Sequence, residues 1–198
     1  MSDSNRPHHH GNLRAALIAA GMDLVQEGGP EALSIRQVAA RAGVSHAAPA
    51  HHFPNLTALR TAIATEAHRI FTATMEQAIA EAPGTPKEAI IAIGIGYLRF
   101  ARAHPGLFHI MFGGAELDQD DAEFLHSSAL SYGVLARVCA PVAHGPAGPR
   151  GTETLVWSIA HGFASLTLFH RTQSMDASEA ETLFRTIAPD LPIASEQD

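Results

Sequence analysis

Apolar residues recur at helical spacing along almost the whole chain, and glycine, proline and capping residues mark the breaks between runs. Leu13, Leu17, Ala20 and Leu24 fall three to four apart and predict a first amphipathic helix. Gly28-Gly29-Pro30 ends it, because glycine takes the left-handed cap and proline cannot continue the helix. Ser34-Ile35-Arg36-Gln37 has the form of a capping box, in which Ser34 accepts from an early backbone N–H while Gln37 reaches back. It opens a short helix with Ile35, Val38, Ala39 and Ala42 inward. Gly43 closes that helix and Ser45 is placed to cap the next, up to a break at Phe53-Pro54-Asn55. A long helix runs on from about 56 to 81, with Leu56, Leu59, Ile63, Ile70 and Phe71 on its buried side.

The second half repeats this grammar. Thr85-Pro86-Lys87-Glu88 reads as another capping box, with proline where its missing N–H costs nothing. The helix it opens turns Ile91, Ile95, Leu98 and Ala101 inward and stops at His104-Pro105-Gly106. Leu107–Phe112 is a short apolar piece closed by Gly113-Gly114. Residues 119–140 predict a helix carrying Leu125, Ala129, Leu135 and Val138, residues 141–151 a loop, and residues 152–171 a strongly apolar helix. Asp176-Ala177-Ser178-Glu179 caps a last helix that ends at Pro189. The pattern predicts an all-α fold, with no strand alternation and no internal repeat. The run His8–His10 is too short for a typical purification tag and reads as native sequence.

Composition narrows the class. An apolar content of 46% over 198 residues suffices for a real core, in one domain or two small ones. The most apolar run, from Ala89, falls short of the roughly 20 residues of a membrane span. The polar, His-rich start lacks the apolar segment of a signal peptide, and a single cysteine, Cys139, leaves no disulfide framework and no Cys-rich zinc site. These features predict a soluble cytoplasmic protein. The net charge of −7 argues against nucleic acid until its distribution is considered. Residues 1–60 carry +1 and six of the thirteen histidines, whereas residues 61–198 carry −8. The first third is mildly basic on an otherwise acidic chain, a weak electrostatic footprint.

Residues 34–53 follow the helix-turn-helix plan: a short helix, the turn Ala42-Gly43-Val44, and a second short helix. Small Ala39 lies where the two helices cross, Gly43 supplies the positive φ of the turn, Val44 plugs the core beside it, and Ser45 caps the second helix. On spacing alone an ordinary helical hairpin fits as well. Pro49 is the fourth residue after Ser45 and lacks the N–H that would make the first intrahelical bond; it also pushes Ala48 away from the α region. The expectation is a distorted or tight first turn within a helix that survives.

From Gly11 to Ile63 the chain resembles the TetR/AcrR-type transcriptional regulators. The first helix ending in Gly-Gly, the Ser34 box, Val38-Ala39, Ala42-Gly43-Val44-Ser45 and the closing His52-Phe53-Pro54 carry that resemblance. Ala103-His104-Pro105 with Leu107-Phe108, and Trp157 with His161-Gly162, are similar to a branch with a C-terminal Trp…His-Gly signature. The resemblance implies a DNA-binding domain over residues 1–60 and a helical ligand-binding and dimerisation domain over residues 61–198. It implies a homodimer, paired through helices 152–171 and 176–188, whose heads lie roughly 34–36 Å apart, or a multiple of it, on an inverted-repeat operator. Carried over by position, Ser34, Arg36, His51 and His52 touch phosphates, while Ser45, His46 and Ala47 approach base edges. The family's usual tyrosine is replaced by Ala50 and its usual lysine by Leu56, a departure that leaves two of the expected phosphate contacts open. His46 can hydrogen-bond a base, whereas Ala47 and Ala50 can only pack on thymine methyls. An unknown small-molecule effector is implied, but no cofactor.

In the second domain Phe100, Phe108, Met111, Phe112, Trp157 and His161 are candidate pocket residues, with plain core as the competing reading for each. Trp157 and His161 share a face at i, i+4. A metal site at His46, His51 and His52 fits poorly, since adjacent residues diverge by roughly 100° and no acid or cysteine stands nearby. Protonated imidazoles beside phosphates fit better, since histidine titrates near neutral pH. An enzyme built on Cys139 and His144 is the other class weighed; no phosphate loop, G-x-S-x-G elbow or H-E-x-x-H is present, and Cys139 reads as core. A helical small-molecule- or partner-binding protein that has weakened or lost DNA binding is the third.

Overall fold

A computed structural model of the protein describes residues 13–169, 175–189 and 191. The His8–His10 run and residues 170 and 171 of the expected 152–171 helix lie outside the described residues. Within them there are helices and no strands: α1 (Leu13–Gly28), α2 (Ile35–Arg41), α3 (Leu56–Glu81), α4 (Pro86–Ala103), α5 (Pro105–Phe112), α6 (Ala122–Cys139), α7 (Gly148–Phe169) and α8 (Ala177–Ile187). Short 3-10 turns occupy Pro30–Ala32 and Ala48–His51. None of the described helices is long and apolar enough to cross a membrane.

Helix α3 is the spine. It packs on α1 near its start and on α4, α5 and α6 along the rest, and α4 in turn carries α7 and α8. Leu59 and Ile63 are fully buried beside Leu17 and Val25 of α1; farther along, Phe71 and Met75 enter the core of the second half. Two ion-pair groups fasten α8 to this core: Arg99 reaches both Glu81 and Glu181 (2.6 and 2.9 Å), and Arg185 reaches Glu88 (3.3 Å).

The helix ends refine the expected caps. Ser34 accepts from the Gln37 N–H (3.2 Å), but its hydroxyl donates to the Gln37 side-chain oxygen (2.8 Å), so Gln37 does not reach back to the backbone. Thr85 likewise caps through the Glu88 N–H, while the Glu88 carboxylate turns to Arg185. Asp176 and Glu179 form the complete reciprocal box. Helix α6 starts later than expected, capped by Asp121; it buries the expected Leu135 and Val138, but Phe124, Ser127, Ser131 and Val134 instead of Leu125 and Ala129. Helix α7 starts earlier, inside the expected loop, because Gly148 takes φ 67° and Pro149 sits in the first turn where no N–H is required.

The two halves meet along α1. A Cβ on Gly106 would lie 2.2 Å from the Val25 carbonyl oxygen, so α5 approaches the α1 backbone as only glycine allows. Beside it the Gln26 side-chain amide donates to the Ala103 carbonyl (3.1 Å) and meets His104 Nδ1 (3.0 Å). At the other end of α1, Arg14 pairs with Glu123 at the start of α6 (3.5 Å).

Candidate functional site

The first candidate site is the turn after α2. Helix α2 ends in a Schellman motif: the Val44 N–H donates to the Ala39 carbonyl (3.0 Å) and the Gly43 N–H to that of Ala40 (3.2 Å), with Gly43 at φ 70°. Ala39 is fully buried at the crossing and Val44 packs on the core. The segment after it departs from expectation. No α-helix starts at Ser45; a turn at 46–47 leads into the 3-10 turn Ala48–His51. The cause is Pro49. With no proline N–H to donate, the Ser45 carbonyl takes the Ala48 N–H instead (3.0 Å), three residues away rather than four, and the Ala50 N–H bonds Ala47 in the same way (3.3 Å). The turn closes when the His52 and Phe53 N–H groups share the Pro49 carbonyl (2.9 and 2.8 Å). Pro49 and Phe53 are buried, and the Arg14 guanidinium lies 5.7 Å from the centre of the Phe53 ring.

Ser45, His46, Ala47, Ala50, His51 and His52 are all exposed around this turn, and Arg36 is exposed on α2. Ser34 is half-buried and holds the α2 cap. Arg41, the other cation of α2, is forked onto Glu27 (2.8 Å to one oxygen), which leaves Arg36 as the uncommitted guanidinium among the described residues of α2.

The second candidate site is a cavity of about 440 Å³ bounded by α3, α4, α6 and α7. His68, Phe71 and Met75 come from α3, Ile93 and Tyr97 from α4, Ser128, Ser131 and Tyr132 from α6, and Val156 and Trp157 from α7. Leu125 (49% exposed), Tyr132 and Trp157 (43%) surround its mouth. The Tyr132 hydroxyl donates to the Glu153 carboxylate, which raises the tyrosine's pKa. Burial raises the pKa of Tyr97 as well, opposed by a hydrogen bond from Trp157; its hydroxyl is 2.8 Å from His161 Nδ1. His68 is buried beside Ser131 (Nδ1 to Oγ 3.0 Å), and burial pulls its pKa down to about 4. A smaller cavity of about 190 Å³ adjoins Phe112, formed by Phe108, His109, Phe112, Gly113, His161 and Ser165.

Two family profiles match the chain. One, described as bacterial regulatory proteins of the tetR family, covers residues 17–63. The other, described as a tetracyclin repressor-like C-terminal domain, covers residues 90–191, just over half of the sequence. The chain belongs to the TetR family of bacterial transcriptional regulators. Solved structures agree with this TetR-family fold. A protein of unknown function from Rhodococcus sp. RHA1 is 28% identical, with a TM-score of 0.75, over 93% of this chain and 100% of that one. FadR from Bacillus subtilis, solved with stearoyl-CoA, is 16% identical with a TM-score of 0.67, over 88% and 97%. The TetR-family regulator PfmR from Thermus thermophilus is 20% identical with a TM-score of 0.57, over 87% and 91%. A search of curated proteins finds no match.

In this TetR-family chain the residues chosen from sequence for a pocket divide three ways. Phe112 and Trp157 line the large cavity, and Phe108, Phe112 and His161 line the small one. Phe100 is fully buried in the core and Met111 packs against it; neither lines either of these two cavities. His68 and Ser131, which are part of the polar lining of the large cavity, are not among the residues the sequence singles out. A signal existed: His68 stands on the stripe Ala64, Phe71, Met75, where an ionisable residue is out of place. Cys139 is buried, and its thiol is pushed up to about 11 by burial, then by Glu153.

Proposed function

We propose that the protein is a ligand-responsive repressor that binds an inverted-repeat operator as a homodimer. Residues 1–60 serve as the reading head and residues 61–198 as the effector and dimer domain. The observation that carries this reading is the continuity of α3. The helix begins at the Asn55 cap directly after the reading turn and runs without a break to His68, Phe71 and Met75 on the cavity wall. A ligand that prefers one placement of that wall thereby favours one placement of the head, by no more than its differential affinity for the two. In this reading Arg36, His51 and His52, with Ser34, meet phosphates, and Ser45, His46, Ala47 and Ala50 face bases. The solved relative that holds stearoyl-CoA supports a ligand role for the helical domain. Exposed Leu155 and Leu166 of α7, with Leu183 and Ile187 of α8, support pairing through those helices. The buried, protonated Cys139 supports a non-catalytic role, and we assign the protein to the cytoplasm, on the nucleoid.

Selection from a random DNA pool at moderate salt tests the reading. An enriched inverted repeat, whose binding weakens steeply as salt rises, is expected. Recovery of no preferred sequence with any effector tried favours the second reading, a ligand-binding protein with a lost DNA function. The 3-10 turn at Ala48–His51 and the small side chain of Ala50 are the features that favour that alternative.

A further inference from the structure

Among the described residues, the wall of the large cavity carries no Asp, Glu, Lys or Arg. Nearly all of its polar side chains are committed within the protein. The Tyr132 hydroxyl serves Glu153, that of Tyr97 meets His161, and Ser128 Oγ donates to the Leu125 carbonyl. Ser131 Oγ lies among Thr72 Oγ1 (2.9 Å), His68 Nδ1 (3.0 Å) and the Ser127 carbonyl (3.2 Å).

His68 is the exception. It is 9% exposed, its Nδ1 is taken by Ser131, and its Nε2 has no partner among the described residues. That nitrogen is not sealed into the core either, since Arg60 Nε is the one fully buried, unpartnered side-chain nitrogen or oxygen among the described residues. The ring forms part of the cavity wall, and Nε2, the ring nitrogen left partly accessible, is the one available to a ligand there. Burial keeps this imidazole uncharged at neutral pH. An ion entering the cavity would lose its water and find no countercharge. A pure hydrocarbon would leave Nε2 without a partner. Either tautomer of the ring satisfies a hydroxyl, which both donates and accepts.

On the reading that this cavity is the effector site, we propose that its ligand is an uncharged, mainly apolar alcohol whose hydroxyl is received by His68 Nε2. Trp157, the chain's single tryptophan, lines the cavity and serves as an intrinsic reporter. The test is a titration of the full-length protein at pH 7 with 1-octanol, 1-chlorooctane, octanoate and octylammonium. Binding is read by Trp157 fluorescence and by calorimetry. 1-Octanol is expected to bind roughly tenfold more tightly than 1-chlorooctane and than either ion. The His68→Phe variant should lose the preference for octanol over chlorooctane, and His68→Gln should retain it. Equal or tighter binding of octanoate or octylammonium, no advantage of octanol over chlorooctane, or no binding of octanol in either measurement overturns the proposal. Parallel titrations on protein bound to its selected operator separate the two readings. Octanol that binds with the stated preference yet leaves operator affinity unchanged removes the effector role alone. Octanoate that binds tightest and releases operator removes the ligand class alone.

Discussion

At position 68 a histidine occupies a helix face otherwise filled by alanine, phenylalanine and methionine. Burial lowers its pKa to about 4, so the unfolded chain binds a proton between roughly pH 6.5 and pH 4 that the folded one refuses. Stability therefore falls as pH drops through that window and is fully present above it. Burial shifts His104 and His161 in the same direction and adds to the slope. Urea unfolding at pH 7, 5.5 and 4.5 should show this loss, and His68→Phe should flatten part of it; an unchanged slope would assign the effect to the other two. Gly106 is as local. Alanine there places a methyl group against the Val25 carbonyl, which is backbone and cannot swing away, so Gly106→Ala should cost about 1–3 kcal/mol and lower the melting temperature by several degrees. Gly106 was legible in the sequence only as punctuation after Pro105. Its contact with α1, 81 positions earlier, is a tertiary fact that no local pattern encodes.

At the scale of elements, the helices were legible wherever apolar spacing and a stop signal coincided: α1, α2, α3 and α4 lie within a residue or two of their expected bounds. The misses have separate causes. On α6 the buried face includes Ser127 and Ser131, which read as polar, so apolar spacing points to Leu125 and Ala129 beside Leu135 and Val138; only the latter pair is buried, and Leu125 and Ala129 are exposed at the cavity. On α7, Gly148-Pro149 reads as loop chemistry, yet both residues suit the first turn of a helix. At the turn after α2, the effect of Pro49 was legible and its size was not. With only a few residues between Gly43 and Phe53, one missing donor removes a large share of the bonds an α-helix would have. Pro49→Ala restores that donor. It should slow hydrogen exchange across residues 45–52 while leaving global stability within about 1 kcal/mol, since the regained bond is offset by a freer unfolded chain. Unchanged exchange across the segment would show that the tight turn does not depend on the proline.

For the whole molecule, the two-domain plan was legible through the resemblance of its first third; the location of the cavity was not, because four helices contribute to it and each brings ordinary apolar residues. The proposed pairing of two chains belongs to this scale. Leu183 and Ile187 are exposed on α8, so replacing both with lysine leaves the core intact and should shift the sedimentation coefficient to that of one chain. Operator affinity should fall with it, since two heads on one inverted repeat act as a bivalent ligand. A double variant that still sediments as a dimer would place the interface elsewhere. The same scale gives meaning to the attachments of α1. Close packing of Gly106 on Val25 is short-ranged and indifferent to salt, whereas the exposed Arg14–Glu123 pair is screened by it. Added salt thus loosens the Arg14 end of α1 first and leaves its Gly106 end in place.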